Sequence, residues 1–180
     1  KLEKAGLETY AKTVTHTFHF PAEGKRAAVN LIYYTGGADM PPKHITDQLI
    51  GTFGNIPRVG AIVEGENGLL SSGLWNSQCY LKLKDDKKFI GHGNHGEAKK
   101  VAQTLPRANG HFREWTDAII NKGKTFASFD IGGHLTEIGL SGIVALKLQQ
   151  NINWDGEKMK VIGNSEADTL IQKQTRKRWL

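Results

Sequence analysis

Phe129–Gln150 reads FDIGGHLTEIGLSGIVALKLQQ, and its spacing decides the class of fold. From Leu135 to Gln149 the pattern is helical. Leu135, Ile138, Gly142 and Ala145 form one stripe, and Leu140, Ile143, Val144 and Leu148 form another. Two apolar faces with glycine between them predict a helix buried nearly all round and close to a neighbouring backbone. Working outward, GHFREWTDAII at Gly110–Ile120 predicts a second helix beginning at Asn109 or Gly110 and stopping at Gly123. Its Phe112, Trp115 and Ile119 have the i, i+3, i+7 spacing of a buried stripe. Downstream, Ile152–Trp154 reads as a short strand. A last helix starts at Ser165, with Asp168 three places later as a capping partner.

The first half alternates instead. In TVTHTFHF (Thr13–Phe20), Val14, His16, Phe18 and Phe20 point one way and Thr15, Thr17 and His19 the other. Pro21–Gly24 forms a turn, and Ala27–Tyr34 (AAVNLIYY) completes an antiparallel hairpin. Thr35–Pro57 is irregular around Pro41 and Pro42, with room for a short helix near Ile45–Ile50. Gly60–Glu64 and Gly68–Ser72 are two strands joined by the turn Gly65–Asn67, and Gln78–Lys84 is another. Asp85–Gly110 reads as a long polar loop. Strands followed by helices make an α+β chain: an open, mostly antiparallel sheet with helices packed on one face. Residues 1–180 are expected to form a single domain.

A chain of 180 residues is long enough for one well-buried domain and short for two. The net charge of +6 could attract nucleic acid. The basic residues are dispersed, however, apart from Lys173, Arg176, Lys177 and Arg178. No zinc finger, GXXG loop or aromatic-interleaved basic strand accompanies them, so no nucleic-acid partner is expected. A solvated tail or a subunit contact accounts for the cluster. The apolar runs fall far short of the roughly 20 residues that span a bilayer. One cysteine, Cys79, excludes an internal disulfide framework and a cysteine-rich zinc site. Lys1 is not a natural start, and a trimmed N-terminus is expected. The compartment, cytoplasmic or periplasmic and secreted, stays open.

Beyond the two blocks quoted, the chain carries INWDGEKMKV (Ile152–Val161) and SEADTLIQKQTRKRWL (Ser165–Leu180). Further upstream are FPA at Phe20–Ala22, TGG at Thr35–Gly37, MPP at Met40–Pro42 and GAIVEGENGLLSSG at Gly60–Gly73. In this order the segments resemble the C-terminal domain of Gfo/Idh/MocA oxidoreductases, the glucose–fructose oxidoreductase and inositol dehydrogenase superfamily. The similarity is greatest to a bacterial subgroup ending in a helix, a Trp-Asp strand and an Arg/Lys-Trp tail. It is weakest over Asp85–Leu105. The resemblance implies a large antiparallel sheet, helices on one side and a partner subunit on the other. It also implies part of a pocket for a sugar or cyclitol, whose hydroxyl carbon exchanges hydride with NAD or NADP. In such proteins a Rossmann domain comes first, and a Glu-Lys-Pro lysine and an Asp…His pair precede the present region. Glu3-Lys4 is followed by Ala5, so no catalytic and no cofactor-binding residue is assigned here. Relatives commonly have Gly-Pro before Leu-Thr-Glu, whereas this chain has Gly133-His134.

Four histidines are candidates for the substrate pocket. His111 lies near a helix start, where it lines the pocket or acts as a structural cap. His134 adds an imidazole near a helix N-terminus. His92 and His95 lie on the polar loop, which either reaches the active site or a neighbouring subunit, or is ordinary exposed chain. With Asp85, Asp86 or Glu97 they offer metal ligands, but zinc needs three or four in a closed set, and no metal site is expected. Gly91, Gly93 and Gly96 spell GHGNHG, the spacing of a dinucleotide loop without its preceding apolar strand or following βαβ context. His16 and His19 fall on opposite faces of their strand. Cys79, without a paired base, reads as a small buried side chain. Glu137 complements a helix dipole, and Trp154-Asp155-Gly156 reads as strand and turn.

Three functions compete at this stage. The first is the substrate-binding and oligomerisation domain of an NAD(P)-dependent oxidoreductase, inactive alone and homo-oligomeric through its sheet face. The second is a stand-alone carbohydrate-binding or assembly module. The third is a metal-dependent lyase or isomerase built on the histidines.

Overall fold

The structure, a computed structural model, describes residues 11–37 and 39–172. The α+β class holds, and every strand pairing described is antiparallel. The pairings are distributed over sheets of two, four and two strands. Met40–Ala108 forms one compact unit, and the segments on either side of it form a second.

The second unit opens with a hairpin of β1 (Val14–Phe20) and β2 (Val29–Thr35), as the alternation predicts. Register runs from Val14 opposite Thr35 to Phe20 opposite Val29. His19 Nδ1 lies 2.7 Å from Oδ1 of its cross-strand partner Asn30.

Within Met40–Ala108, α1 (Lys43–Phe53) begins directly after Pro42 and is nearly twice the length the sequence suggested. Pro42 is tolerated because the first turn needs no donor from that position. Gly54, in a left-handed conformation, ends the helix with its N–H on the Ile50 carbonyl. A sheet follows in the order β3 (Ala61–Gly65), β4 (Gly68–Ser72), β5 (Cys79–Leu83) and β6 (Ile90–Gly91). Ile45 and Leu49 of α1 pack on Leu69 and Phe89, with Phe53, Ile62 and Tyr80 around them. The Phe53 ring meets Tyr80 edge-on at 5.0 Å and stacks on Phe89 at 5.8 Å. Asp85–Gly110 is therefore not simply a polar loop. It carries β6, the one-turn helix α2 (Gly96–Lys99) and two buried side chains, Phe89 and His95.

The chain then returns to the second unit. Helix α3 (His111–Asn121) has the apolar stripe but does not bury it. Phe112 is 76% exposed, Trp115 58% and Ile119 62%, which corrects the buried stripe read from the spacing. Periodicity shows that a face is apolar, not what covers it.

Helix α4 (Phe129–Leu148) starts six residues before Leu135, capped by Ser128. It is buried only toward its C-terminal end, at Ser141, Gly142, Val144 and Leu146, and not all round. A Cβ at Gly142 would lie 2.9 Å from Phe18 Cζ and 3.1 Å from His16 Nδ1, so glycine lets α4 meet β1. The close neighbours are aromatic side chains rather than the backbone expected. Val144 joins Val161 and Ala167 in a second core, flanked by Leu148, Ile152 and Trp154. Val161 belongs to β8 (Lys160–Val161), which pairs with β7 (Trp154–Asp155). At the last helical turn Asn164, not Ser165, supplies the cap, accepting from Glu166 N at 3.1 Å before α5 (Asp168–Ile171). The basic cluster at 173–178 and Glu3-Lys4 lie outside the described residues.

Candidate functional site

The four candidate histidines fall into two pairs. His92 and His95 stand in the Met40–Ala108 unit, and His111 and His134 in the other. Among the described residues no hydrogen bond or ring contact joins any two of them.

His95 is 5% exposed and makes the most contacts of the four. Its Nδ1 accepts from Glu97 N at 3.1 Å and Ala98 N at 3.4 Å, so it caps α2. A ring nitrogen that accepts leaves the proton on Nε2, which donates to Asp86 Oδ2 at 2.9 Å. The same carboxylate oxygen accepts from Leu83 N at 2.7 Å. These two hydrogen bonds, that from His95 first, hold the Asp86 carboxyl below its usual range. The amides at the start of α2, which a pyrophosphate would need, are thus already occupied by an imidazole. GHGNHG begins on the second residue of a two-residue strand and ends on the first residue of a four-residue helix. It does not fit a nicotinamide dinucleotide.

His92 differs. Its backbone N–H and its ring Nδ1 both approach the Cys79 carbonyl, at 2.9 and 3.2 Å. A carbonyl only accepts, so Nδ1 carries the proton and Nε2 is left as an acceptor. The ring borders an open groove of about 200 Å³ between Ser77–Tyr80 and Gly91–Asn94. Cys79 also lines it and is half-buried rather than buried as expected, its Sγ 3.8 Å from the Asn76 carbonyl. A larger groove of about 370 Å³ runs past Gln48, Glu64, Glu66, Lys82 and Lys84. His44 Nε2 approaches Glu64 Oε1 there at 2.7 Å. No group of three or more His, Cys, Asp or Glu side chains converges for a metal among the described residues.

His111 takes the first position of α3, its ring 4.3 Å from that of Phe112. Gly110 occupies the cap position, so His111 is not the cap. His134 stands in the second turn of α4 rather than at its start, because the helix begins at Phe129. Its exposed ring lies 3.3 Å from Glu137 Oε2.

Glu137 is the residue whose role sequence spacing missed. It sits in the third turn of α4, too far in to meet the dipole of the first. Its side chain is 12% exposed, and Oε1 accepts from Trp154 Nε1 at 2.6 Å. A Cβ on Gly156 would come within 2.9 Å of that oxygen. The carboxylate therefore ties α4 to the β7 turn, and only glycine leaves it room. The turn itself is architectural, as read: Asp155 Oδ1 accepts from Lys158 N at 3.0 Å, and Oδ2 pairs with Lys158 Nζ at 3.0 Å. The Lys158 amide and then its ammonium lower the Asp155 carboxyl.

No helix among the described residues is long and apolar enough to cross a membrane. No curated protein and no solved structure matches the chain. A family model does: residues 69–180, from β4 onward, match an oxidoreductase family's C-terminal alpha/beta domain. FPA, TGG and MPP precede that span, while both helical blocks and the Trp-Asp turn lie inside it. This chain belongs to the Gfo/Idh/MocA oxidoreductase family and contains its C-terminal domain.

Proposed function

We propose that this chain is the substrate-side and assembly half of an NAD(P)-dependent oxidoreductase that acts on a hydroxyl carbon of a sugar or cyclitol. The observation that carries the reading is the family match over residues 69–180. The occupied amides of α2 support placing the nicotinamide on a Rossmann domain of the parent protein rather than on these residues. The chain alone is then catalytically silent. His111 and His134, both exposed, are the residues proposed to face substrate in the parent. His92 borders an open groove and keeps that candidacy, whereas His95 acts through the fold.

Assembly into a homodimer or larger oligomer is the second part of the proposal. It is supported by Leu31, Ile32 and Tyr33 of β2, which are 45%, 43% and 58% exposed without an intervening charge. A strand edge of this kind lacks the lysines and prolines that discourage pairing. The test is nicotinamide reduction by the parent protein and by this chain, across a panel of polyols. Turnover by the parent and none by the chain is expected. Turnover by the chain alone would overturn the reading.

A further inference from the structure

His95 is the only histidine that is buried among the described residues. What it holds has little else to hold it. Helix α2 buries none of its own side chains, and the chain from Lys99 to Gly110 is exposed throughout. The backbone hydrogen bonds there are local: Lys99 N to His95 O at 3.1 Å, Lys100 N to Glu97 O at 3.2 Å, Val101 N to Ala98 O at 3.2 Å and Thr104 N to Ala102 O at 3.0 Å. The bonds from Glu97 N and Ala98 N to the His95 ring therefore tie the start of this segment to a buried group.

An imidazole accepts at Nδ1 only while that nitrogen carries no proton. Protonation makes both ring nitrogens donors, and an Nδ1–H would face two amide N–H groups. The two sides of the ring then respond in opposite ways. At Nε2 the bond to Asp86 Oδ2 survives as an ion pair, because Asp86 is held in its carboxylate form by this bond and by Leu83 N. At Nδ1 the cap is lost, and no other side chain among the described residues accepts from the first amides of α2. The charged groups around the ring are Asp86 on the β5–β6 connection, Lys82 of β5, whose ammonium acts on Asp86, and Glu97 and Lys99 of α2. Glu97 is itself paired with Lys100 at 2.6 Å. Of these side chains, only Asp86 is bonded to the ring.

We propose that His95 is a pH-operated latch: its protonation uncaps α2 and frees the chain from Gly96 onward, while Asp86 keeps the ring itself in the fold. The latch needs neither nicotinamide nor substrate, so it stands or falls separately from hydride transfer by the parent.

The test is nuclear magnetic resonance of the full 180-residue chain, titrated from about pH 8 to about pH 5, the range in which imidazoles change charge. At the alkaline end the His95 ring should be the Nε2–H tautomer. As it titrates, the Glu97 and Ala98 amide protons should shift with the midpoint of the ring. They should also lose protection from exchange by about fivefold or more, while the amides of β4 keep theirs. Asparagine caps without titrating, so His95→Asn should abolish that midpoint at Glu97 and Ala98. If His95→Asn does not fold, the ring and amide midpoints of the unaltered chain decide alone. An Nδ1–H tautomer at the alkaline end, a ring that stays neutral to the acid end, or amides that do not respond as the ring titrates would overturn the proposal. So would a midpoint that persists in His95→Asn, or loss of α2 only together with β4, which would be unfolding of the whole unit.

Discussion

The Glu137–Trp154 pair shows how a single residue joins two elements. A carboxylate accepting an indole N–H at 2.6 Å in a site only 12% exposed is a charge-assisted bond with little water to replace it. Trp154→Phe should therefore cost about 1.5–3 kcal/mol in denaturant unfolding. Gly156→Ala should cost about 1–3 kcal/mol by pressing a methyl group onto Glu137 Oε1. An unchanged midpoint in either variant would mean that the tie contributes nothing. His16 is the residue where pH enters. Burial lowers its pKa from 6.5, so the folded state binds its proton less readily than the unfolded state. Stability from this group is present above 6.5 and is lost as pH falls below it. Melting temperature should decline on acidification through that range, and His16→Gln should flatten the decline. Asp86 acts in a lower window. Its depressed carboxyl contributes above 3.8 and loses that contribution as pH falls further. Asp86→Asn should remove that acid-side slope in unfolding curves.

At the scale of elements, the hairpin and α4 were legible because each repeats a period over many residues. β1 and β2 fall within two residues of the positions that alternation predicts at every end. Less was legible where one residue decides the outcome. Pro41 and Pro42 read as a break, although Pro42 precedes an eleven-residue helix. In the polar stretch after Asp85 a lone Phe89 gave no periodic signal, yet it completes the core beneath α1. His95 could not be read as a cap because the residues that usually cap are Ser, Thr, Asp and Asn. The contact between Glu137 and Trp154 spans 17 positions and leaves no local pattern. Two substitutions test the packing of elements. Leu49→Ala should cost about 2–5 kcal/mol, since Leu49 is 1% exposed in the α1 core. Gly142→Ala gains helix propensity but drives a methyl group into Phe18 and His16, and a net loss of roughly 1–2 kcal/mol is expected. A gain in stability would show that α4 does not approach β1 as closely as described.

At the scale of the whole molecule, the apolar residues left in water matter most. β2, α3 and the first half of α4 together expose Leu31, Ile32, Phe112, Trp115, Phe129 and Leu135. Under the proposed function these surfaces meet another domain of the parent protein and other copies of the chain. Light scattering should find a dimer or larger assembly, and Ile32→Lys should shift it toward monomer by placing a charge on the open strand. A monomer throughout would remove the assembly half of the proposal. The redox half has a more direct test, the intact mass of the naturally expressed protein. The account predicts a product larger than this chain by a Rossmann domain, about 15 kDa or more on ordinary domain sizes. A natural product with the mass of these 180 residues would contradict it and leave the oxidoreductase family as ancestry alone.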